Sequence, residues 1–289
     1  RIDQARFGQE QAEKQKKWVE QRVRLEVIRA YYGVRVAEAN ERVAEEAVTM
    51  AEAYVKRVRD RYETGVVVQA DLLAAEVQLA EFRQQRVQTE GDRVSAYAFL
   101  NTVLGLTVDT PQKMTGQLTD RVFAPEPPEE LIRLALLHRP DYLKAGLAVR
   151  TTEKQIEGTQ GRYLPRLDVF SSYGLSGKDL TSGSSDYAVG AGLTFNLFDP
   201  GRKPKIEQAR AAQSQASAEQ AHLANQIRLE VTRAYQQFIG LTIITEVLRA
   251  QTAVLRTRMN LLAARYENYV GYANLIMISG RLTDVLPFT

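Results

Sequence analysis

Residues able to do chemistry are few in this chain, and their spacing excludes most reactions. It has two histidines, His138 and His222, and no cysteine. The histidines fall in unrelated segments, and neither has a partner at the His-Glu-x-x-His spacing that turns two imidazoles toward one zinc ion. Each therefore reads as a structural or exposed histidine. Without cysteine there is no disulfide, no thiolate metal site and no cysteine nucleophile. Ser184 and Ser185 lie in no nucleophile elbow and have no usable base. Gly190-x-Gly192 lacks a third glycine and falls inside a strand pattern, while Gly177-Lys178 lacks the upstream glycine and the following Ser/Thr of a phosphate loop. No catalytic constellation and no metal or cofactor site emerges, so the chain does not read as an enzyme. Arg57, Arg59 and Arg61 sit among glutamates, and 38 Lys plus Arg against 35 Asp plus Glu leave a net charge of only +3. That interleaving describes a solvated helix surface rather than a nucleic-acid patch.

What remains is surface chemistry, and the elements must say where those surfaces lie. Hydrophobic residues make up 44% of 289 positions, yet no run approaches the roughly 20 consecutive apolar residues of a spanning helix. A membrane β-barrel escapes that test. All nine prolines stand at position 111 or later, which leaves 1–110 and 205–286 free of this helix breaker. Both stretches read as very long helices. Val36, Val43, Ala47, Met50, Tyr54, Val58 and Tyr62 form a coiled-coil-like seam in the first; Leu241, Ile244, Leu248, Leu255, Met259, Leu262 and Tyr266 form one in the second. A helix from about Ile2 to Glu63 would be roughly 90 Å long at 1.5 Å per residue. Gly65 supplies its left-handed cap, and periodicity resumes from about Ala70 to Leu104, giving an antiparallel hairpin with its tip near Gly65. Residues 106–130 read as irregular chain with one short strand. Glu129 to His138 and Pro140 to about Arg162 read as two further helices, stopped by Tyr163-Leu164-Pro165.

From Leu167 the period changes to two. Leu167, Val169, Ser171, Tyr173 and Leu175 share one side; Gly177 to Asp186 is a loop; Tyr187, Val189, Ala191, Leu193, Phe195 and Leu197 then alternate with Ala188, Gly190, Gly192, Thr194, Asn196 and Phe198. One face is apolar and aromatic, the other mostly small and polar. Strands of about ten residues with this alternation match a transmembrane barrel. A water-soluble hairpin laid on a core has the same period, so periodicity leaves both open.

The chain also aligns with itself at an offset of 204 positions. Ile2-Asp3-Gln4-Ala5-Arg6 returns as Ile206-Glu207-Gln208-Ala209-Arg210, Arg24-Leu25-Glu26-Val27 as Arg228-Leu229-Glu230-Val231, and Arg61-Tyr62-Glu63 as Arg265-Tyr266-Glu267. Duplication of a unit made of a strand pair and a long hairpin explains the fixed offset. A strand pair equivalent to the one ahead of Ile206 is accordingly expected ahead of Arg1.

Taken in order, Arg61-Tyr62-Glu63-Thr64-Gly65 with Asp71-Leu72-Leu73-Ala74-Ala75-Glu76, Leu100-Asn101 through Leu104-Gly105, His138-Arg139-Pro140-Asp141, Tyr163-Leu164-Pro165, and Phe195-Asn196-Leu197-Phe198-Asp199 with Gly201-Arg202 resemble the TolC-type outer-membrane efflux factors. The resemblance implies a mainly α chain with a small β part: long antiparallel helical hairpins forming an α-barrel, plus a transmembrane β-hairpin contributing to an oligomeric β-barrel. It implies a homotrimer with a twelve-stranded barrel in outer-membrane lipid, four strands per subunit, reaching into the periplasm. Its partners would be a periplasmic adaptor (membrane fusion) protein and an inner-membrane pump, in efflux or type I secretion, with no nucleic acid and no cofactor.

On this reading 1–105 is the first long hairpin, 106–162 a mixed segment, 163–202 the strand pair, and 203–289 a second, shortened hairpin. Gly65 with Val66, Val67 and Val68 places apolar surface at a helix reversal, and the family parallel makes that tip the adaptor-docking site. Burial of the valines between neighbouring hairpins is the competing expectation. Arg265 and Tyr266 lie, by the same parallel, near the channel constriction; their twins Arg61 and Tyr62 favour plain packing. The second copy departs from the first, with Tyr269 at the place of Gly65 and Leu275 at that of Asp71. The return helix is expected to run beyond Leu286-Pro287-Phe288-Thr289. A periplasmic coiled-coil adaptor or scaffold that never enters lipid is the alternative class.

Overall fold

The computed structural model describes residues 2–115, 123–176, 184–194, 199–250 and 255–282, with the side chains of 2, 175, 176, 184, 246–250 and 255–258 outside the description. The elements are α1 (Ile2–Glu63), α2 (Gln69–Val103), α3 (Pro128–His138), α4 (Pro140–Gly161), β1 (Arg166–Ser176), β2 (Ser184–Thr194), α5 (Arg202–Ala250) and α6 (Leu255–Ile278). They fall into two compact units, one of Arg1–Lys14 with Tyr142–Leu223, the other of Gln15–Asp141 with Ala224–Thr289. Among the described residues of 106–130 there is no strand where one was expected; 116–122 lie outside the description.

In the second unit α1 and α2 form the anticipated hairpin. Glu63 is followed by Gly65 at φ +75°, whose N–H donates to the Tyr62 carbonyl at 2.9 Å while Val66 N–H reaches back to Arg61 at 2.8 Å. This paired closure satisfies carbonyls that the helix end would leave bare, and it needs the left-handed backbone that glycine adopts without a Cβ penalty. α2 restarts by a different device: the Asp71 carboxylate accepts the Val68 N–H at 3.3 Å. Val48, Ala51, Val55 and Val58 of α1 close on Ala75 and Leu79 of α2. The exposed pairs Arg59–Glu76 at 2.7 Å and Arg83–Glu52 at 2.8 Å bridge the helices above that seam, each worth at most about 1 kcal/mol. Farther along, Tyr97 donates to Glu38 at 2.6 Å, and burial together with this carboxylate pushes its phenol up to about 12.

The second long stretch is not one helix through its seam. The described residues split into α5 and α6, which run antiparallel: Asn268 donates to Thr242 at 3.0 Å, and a Cβ on Gly271 would meet Leu241 at 3.3 Å. By Leu255 the chain already runs opposite to α5, well before the position equivalent to Gly65; residues 251–254 lie outside the description. The departures already noted explain why no reversal falls at that position. With Tyr269 in place of the capping glycine and Leu275 in place of the helix-starting Asp71, nothing stops a helix there, and both residues are buried within α6. Tyr269 stacks on Tyr32 at a centroid distance of 5.0 Å and meets Phe123 edge-on at 5.1 Å. α6 ends instead at Gly280, φ +78°, with the same paired closure back to Met277 and Ile276.

The helices of this unit converge on Arg139, the single residue between α3 and α4, which is only 2% exposed. Its guanidinium donates to Asp141 at 2.7 and 3.0 Å and to Glu230 of α5 at 2.7 Å, and it lies 5.0 Å from the ring centroid of Trp18 of α1. Burial pulls its pKa down, and the carboxylate hydrogen bonds more than offset that, holding it above the ordinary value. The α6 cap seats directly on this connection: a Cβ on Gly280 would lie 2.7 Å from the Arg139 nitrogen, and Gln21 donates to the Gly280 carbonyl at 3.1 Å.

The two capping glycines therefore predict unequal sensitivities. Gly65→Ala meets open space and should cost only the left-handed strain, about 1 kcal/mol. Gly280→Ala adds a collision with backbone and should cost about 3 kcal/mol or more. Urea melts of the two variants against the parent check the order.

Candidate functional site

The strand pair is the feature with the most exposed aromatic surface, at Tyr173 and Tyr187. β1 and β2 pair antiparallel with Leu167 opposite Leu193, Val169 opposite Ala191, Ser171 opposite Val189 and Tyr173 opposite Tyr187. β2 begins at Ser184, so the expected loop ending at Asp186 is shorter by three residues. Residues 177–183, with Gly177-Lys178, and Phe195, Asn196, Leu197 and Phe198 lie outside the described residues. Period two turns the rungs above to one side, and there Tyr173 and Tyr187 are 71% and 83% exposed. On the other side Gly192, Gly190, Ala188 and Ser172 keep the surface small, except that the Phe170 ring lies across Gly190, where a Cβ would come within 2.5 Å of it. Among the described residues each strand has one neighbour, so each presents an edge without a ladder partner there.

Both connections to the helices are stapled by one carboxylate. Asp199 accepts from the Tyr163 hydroxyl at 3.1 Å, from Gly201 N–H at 2.8 Å and from Lys205 at 3.2 Å. It thereby ties the residues before β1 to those that start α5. The lysine, the backbone amide and the hydroxyl together hold its carboxyl below the usual value. Sequence reasoning passed over this staple, although Tyr163 and Asp199 both stood in the quoted motifs; their distance along the chain hides a contact that only the strand pair brings about. Arg202 adds to it, its guanidinium 4.8 Å from the Tyr163 ring centroid.

At the hairpin tip the four singled-out residues divide. Val66 and Val68 are 70% and 64% exposed, and Gly65 faces open space. Val67 instead turns inward and packs on the Val55–Leu79 cluster, so it holds the reversal together. Arg265 and Tyr266 are far from any such tip: both lie on the returning α6. Tyr266 is half-buried against the Tyr32–Phe238–Tyr269 cluster, and burial raises its phenol. Their identity with Arg61 and Tyr62 therefore does not extend to position, because Tyr62 is exposed in the last turn before Gly65. A feature that sequence reasoning missed is a heptad line on the outer side of α2, where Leu73, Ala80, Val87 and Val94 are all exposed.

Long antiparallel helices in one unit and an aromatic strand pair in the other make up the described fold. The chain belongs to the outer membrane efflux protein family, whose model matches residues 1–106 and 131–241. It is similar to the cation efflux system protein CusC of Escherichia coli K12, at 24% identity over 88% of this chain and 63% of the relative. The chain thus spans a little under two thirds of that relative's length. Among solved structures it is similar to a membrane protein from Pseudomonas aeruginosa (TM-score 0.81, 19% identity, 96% of this chain and 72% of that one). It is also similar to the open state of the Neisseria gonorrhoeae MtrE outer membrane channel (TM-score 0.78, 16% identity, 97% and 71%). At these identities the structures establish the fold.

Because the pKa of Asp199 is lowered on folding, the staple contributes stability above the ordinary carboxylate range and loses it as pH falls through the lowered value. Hydrogen exchange should show the Gly201 amide protected at neutral pH and released in acid. Asp199→Asn should remove most of that protection at neutral pH and flatten its pH dependence.

Proposed function

We propose that this chain is a subunit of a passive export channel in the bacterial outer membrane, the outer component of a tripartite efflux or type I secretion system. The observation that carries the reading is the strand pair. Two eleven-residue strands fit the roughly 9–11 residues that cross a bilayer as tilted β-structure. Their apolar, aromatic side is exposed on the chain itself, the opposite side is small and polar apart from Phe170, and both edges are open among the described residues. In hydrocarbon an unpaired N–H or C=O costs several kcal/mol, so strands of other copies have to complete the sheet. The apolar side then meets lipid and the small polar side lines a lumen. This favours the channel over a scaffold that stays in water, where so much exposed aromatic surface would be a liability.

In this assembly the strands within 163–202 cross the membrane and the two connections to them lie at its periplasmic surface, while 1–105 and 203–289 form the periplasmic α-barrel and 106–162 girdles it. The heptad line Leu73–Ala80–Val87–Val94 supports close helix packing between copies in a homotrimer. Val66 and Val68, at a tip where a monomer gains nothing from apolar exposure, form the face offered to a periplasmic adaptor. Tyr266 acts in packing: its half-buried ring in an aromatic cluster supports that role over a place in the constriction. No bond is made or broken by this protein, and an inner-membrane pump supplies the energy.

The test is the mass of the detergent-solubilised protein. About three subunits per particle is the expected result, and a stable monomer that needs no detergent overturns the reading. The double variant Val87→Glu/Val94→Glu should shift the trimer toward monomer by at least about tenfold, since it sets charges into a packed apolar seam.

For the tip, Val66→Asp/Val68→Asp should weaken binding of the adaptor by about tenfold or more while the trimer persists, as expected when two apolar contacts of roughly 1 kcal/mol each are replaced by charge. Unchanged affinity in a surface-binding assay removes the docking role.

A further inference from the structure

Where strands give way to helices, the described residues of the first unit enclose an open groove of about 1190 Å³. Its cations are Lys154, Arg162, Arg166 and Lys205, and no carboxylate lines it. Glu157, Asp168 and Asp199 neutralise three of them from outside the lining, at 2.7, 2.8 and 3.2 Å. Arg162 is exposed and has no acidic partner among the described residues. Arg202 is exposed at the start of α5 with its guanidinium over the Tyr163 ring, and Lys203 is paired with Glu207 at 3.9 Å.

The position matters as much as the charge. Leu167 opposite Leu193 is the first apolar rung of the sheet. Arg166 comes one residue, roughly 3.3 Å, before it, and Arg162 and Lys205 lie on the helical side. Leu164, 67% exposed, shares the groove with these cations, and Tyr163 is next to it. Cations with apolar and aromatic neighbours, set just outside an apolar band, match the polar boundary of a bilayer.

We propose that this groove seats the phosphate of a phospholipid headgroup in the periplasmic leaflet, fixing the strand–helix junction at the membrane surface. Arg162 and Arg166 bind the phosphate, Lys205 adds charge while keeping Asp199, and Leu164 enters the acyl boundary. The proposal rests on the reading that the hairpin crosses the bilayer, and the experiment separates the two.

The full chain is reconstituted in nanodiscs of phosphatidylethanolamine and phosphatidylglycerol, and the phospholipid retained after mild extraction is counted by native mass spectrometry. Arg162→Gln/Arg166→Gln, at exposed positions where folding is not at stake, should retain phospholipid about tenfold more weakly, in line with the attraction of each surface cation to anionic lipid. In a chain without cysteine, Tyr187→Cys carries a single fluorophore whose quenching by acyl-chain nitroxide lipids reports insertion. Quenching together with lipid loss in the double variant is the expected result. Quenching with equal lipid retention overturns the headgroup site and leaves the channel reading standing. No quenching overturns both. Displacement of the lipid by inorganic phosphate, compared with chloride at equal ionic strength, would make this a site for free anions and also overturns the proposal.

Discussion

Every N–H and C=O of a strand in hydrocarbon needs a partner, and each strand of this pair has one neighbour among the described residues. That shortfall governs the rest of the molecule. A lone two-stranded ribbon is at best marginal in water, and in hydrocarbon its open edges would be forbidden, which is what the proposed completion of the sheet by further copies answers. In that proposal the helices hold the strands at a defined level. The Asp199 staple acts at the foot of the sheet, where one carboxylate joins both connections to it.

Within the helical unit a single buried cation has a comparable role. Arg139 reaches α1 through Trp18 and α5 through Glu230, and its own backbone forms the seat for the α6 cap. Taking a guanidinium out of water is unfavourable, and the cost is met only because two carboxylates and an indole surround it, one of them, Glu230, still partly solvated. Such an arrangement is more exacting than an apolar plug: it tolerates one geometry of four helices and penalises others. That specificity suits a chain whose long helices could otherwise slide past one another by a turn at little loss of apolar contact.

The duplicated halves show how a few residues divert related sequences. Over the first part of the repeat short segments such as Arg24-Leu25-Glu26-Val27 and Arg228-Leu229-Glu230-Val231 match at the fixed offset, and both are helical there. At its end, a glycine and an aspartate in the first copy stop one helix and start the next. Tyrosine and leucine in the second let a helix continue into an aromatic core. The twin pair Arg61-Tyr62 and Arg265-Tyr266 consequently occupies a tip in one half and a packed helix face in the other.

How far the sequence could be read followed from the range of the forces involved. Helix ends at Gly65 and Gly105, the proline-led starts of α3 and α4, and the alternation of β1 and β2 are written in neighbouring residues, because capping, ring closure and side-chain direction act within a few positions. The antiparallel packing of α6 on α5, the inward turn of Val67, the burial of Arg139 and the Tyr163–Asp199 contact were not legible, since each depends on residues far apart in the chain meeting in space. The sequence alone determined long helices, an alternating strand pair and the family they resemble. Only tertiary structure decided which repeated residues sit at a tip and which in a core, and which charges meet at the foot of the sheet, because those outcomes depend on packing between distant segments and not on local backbone preference.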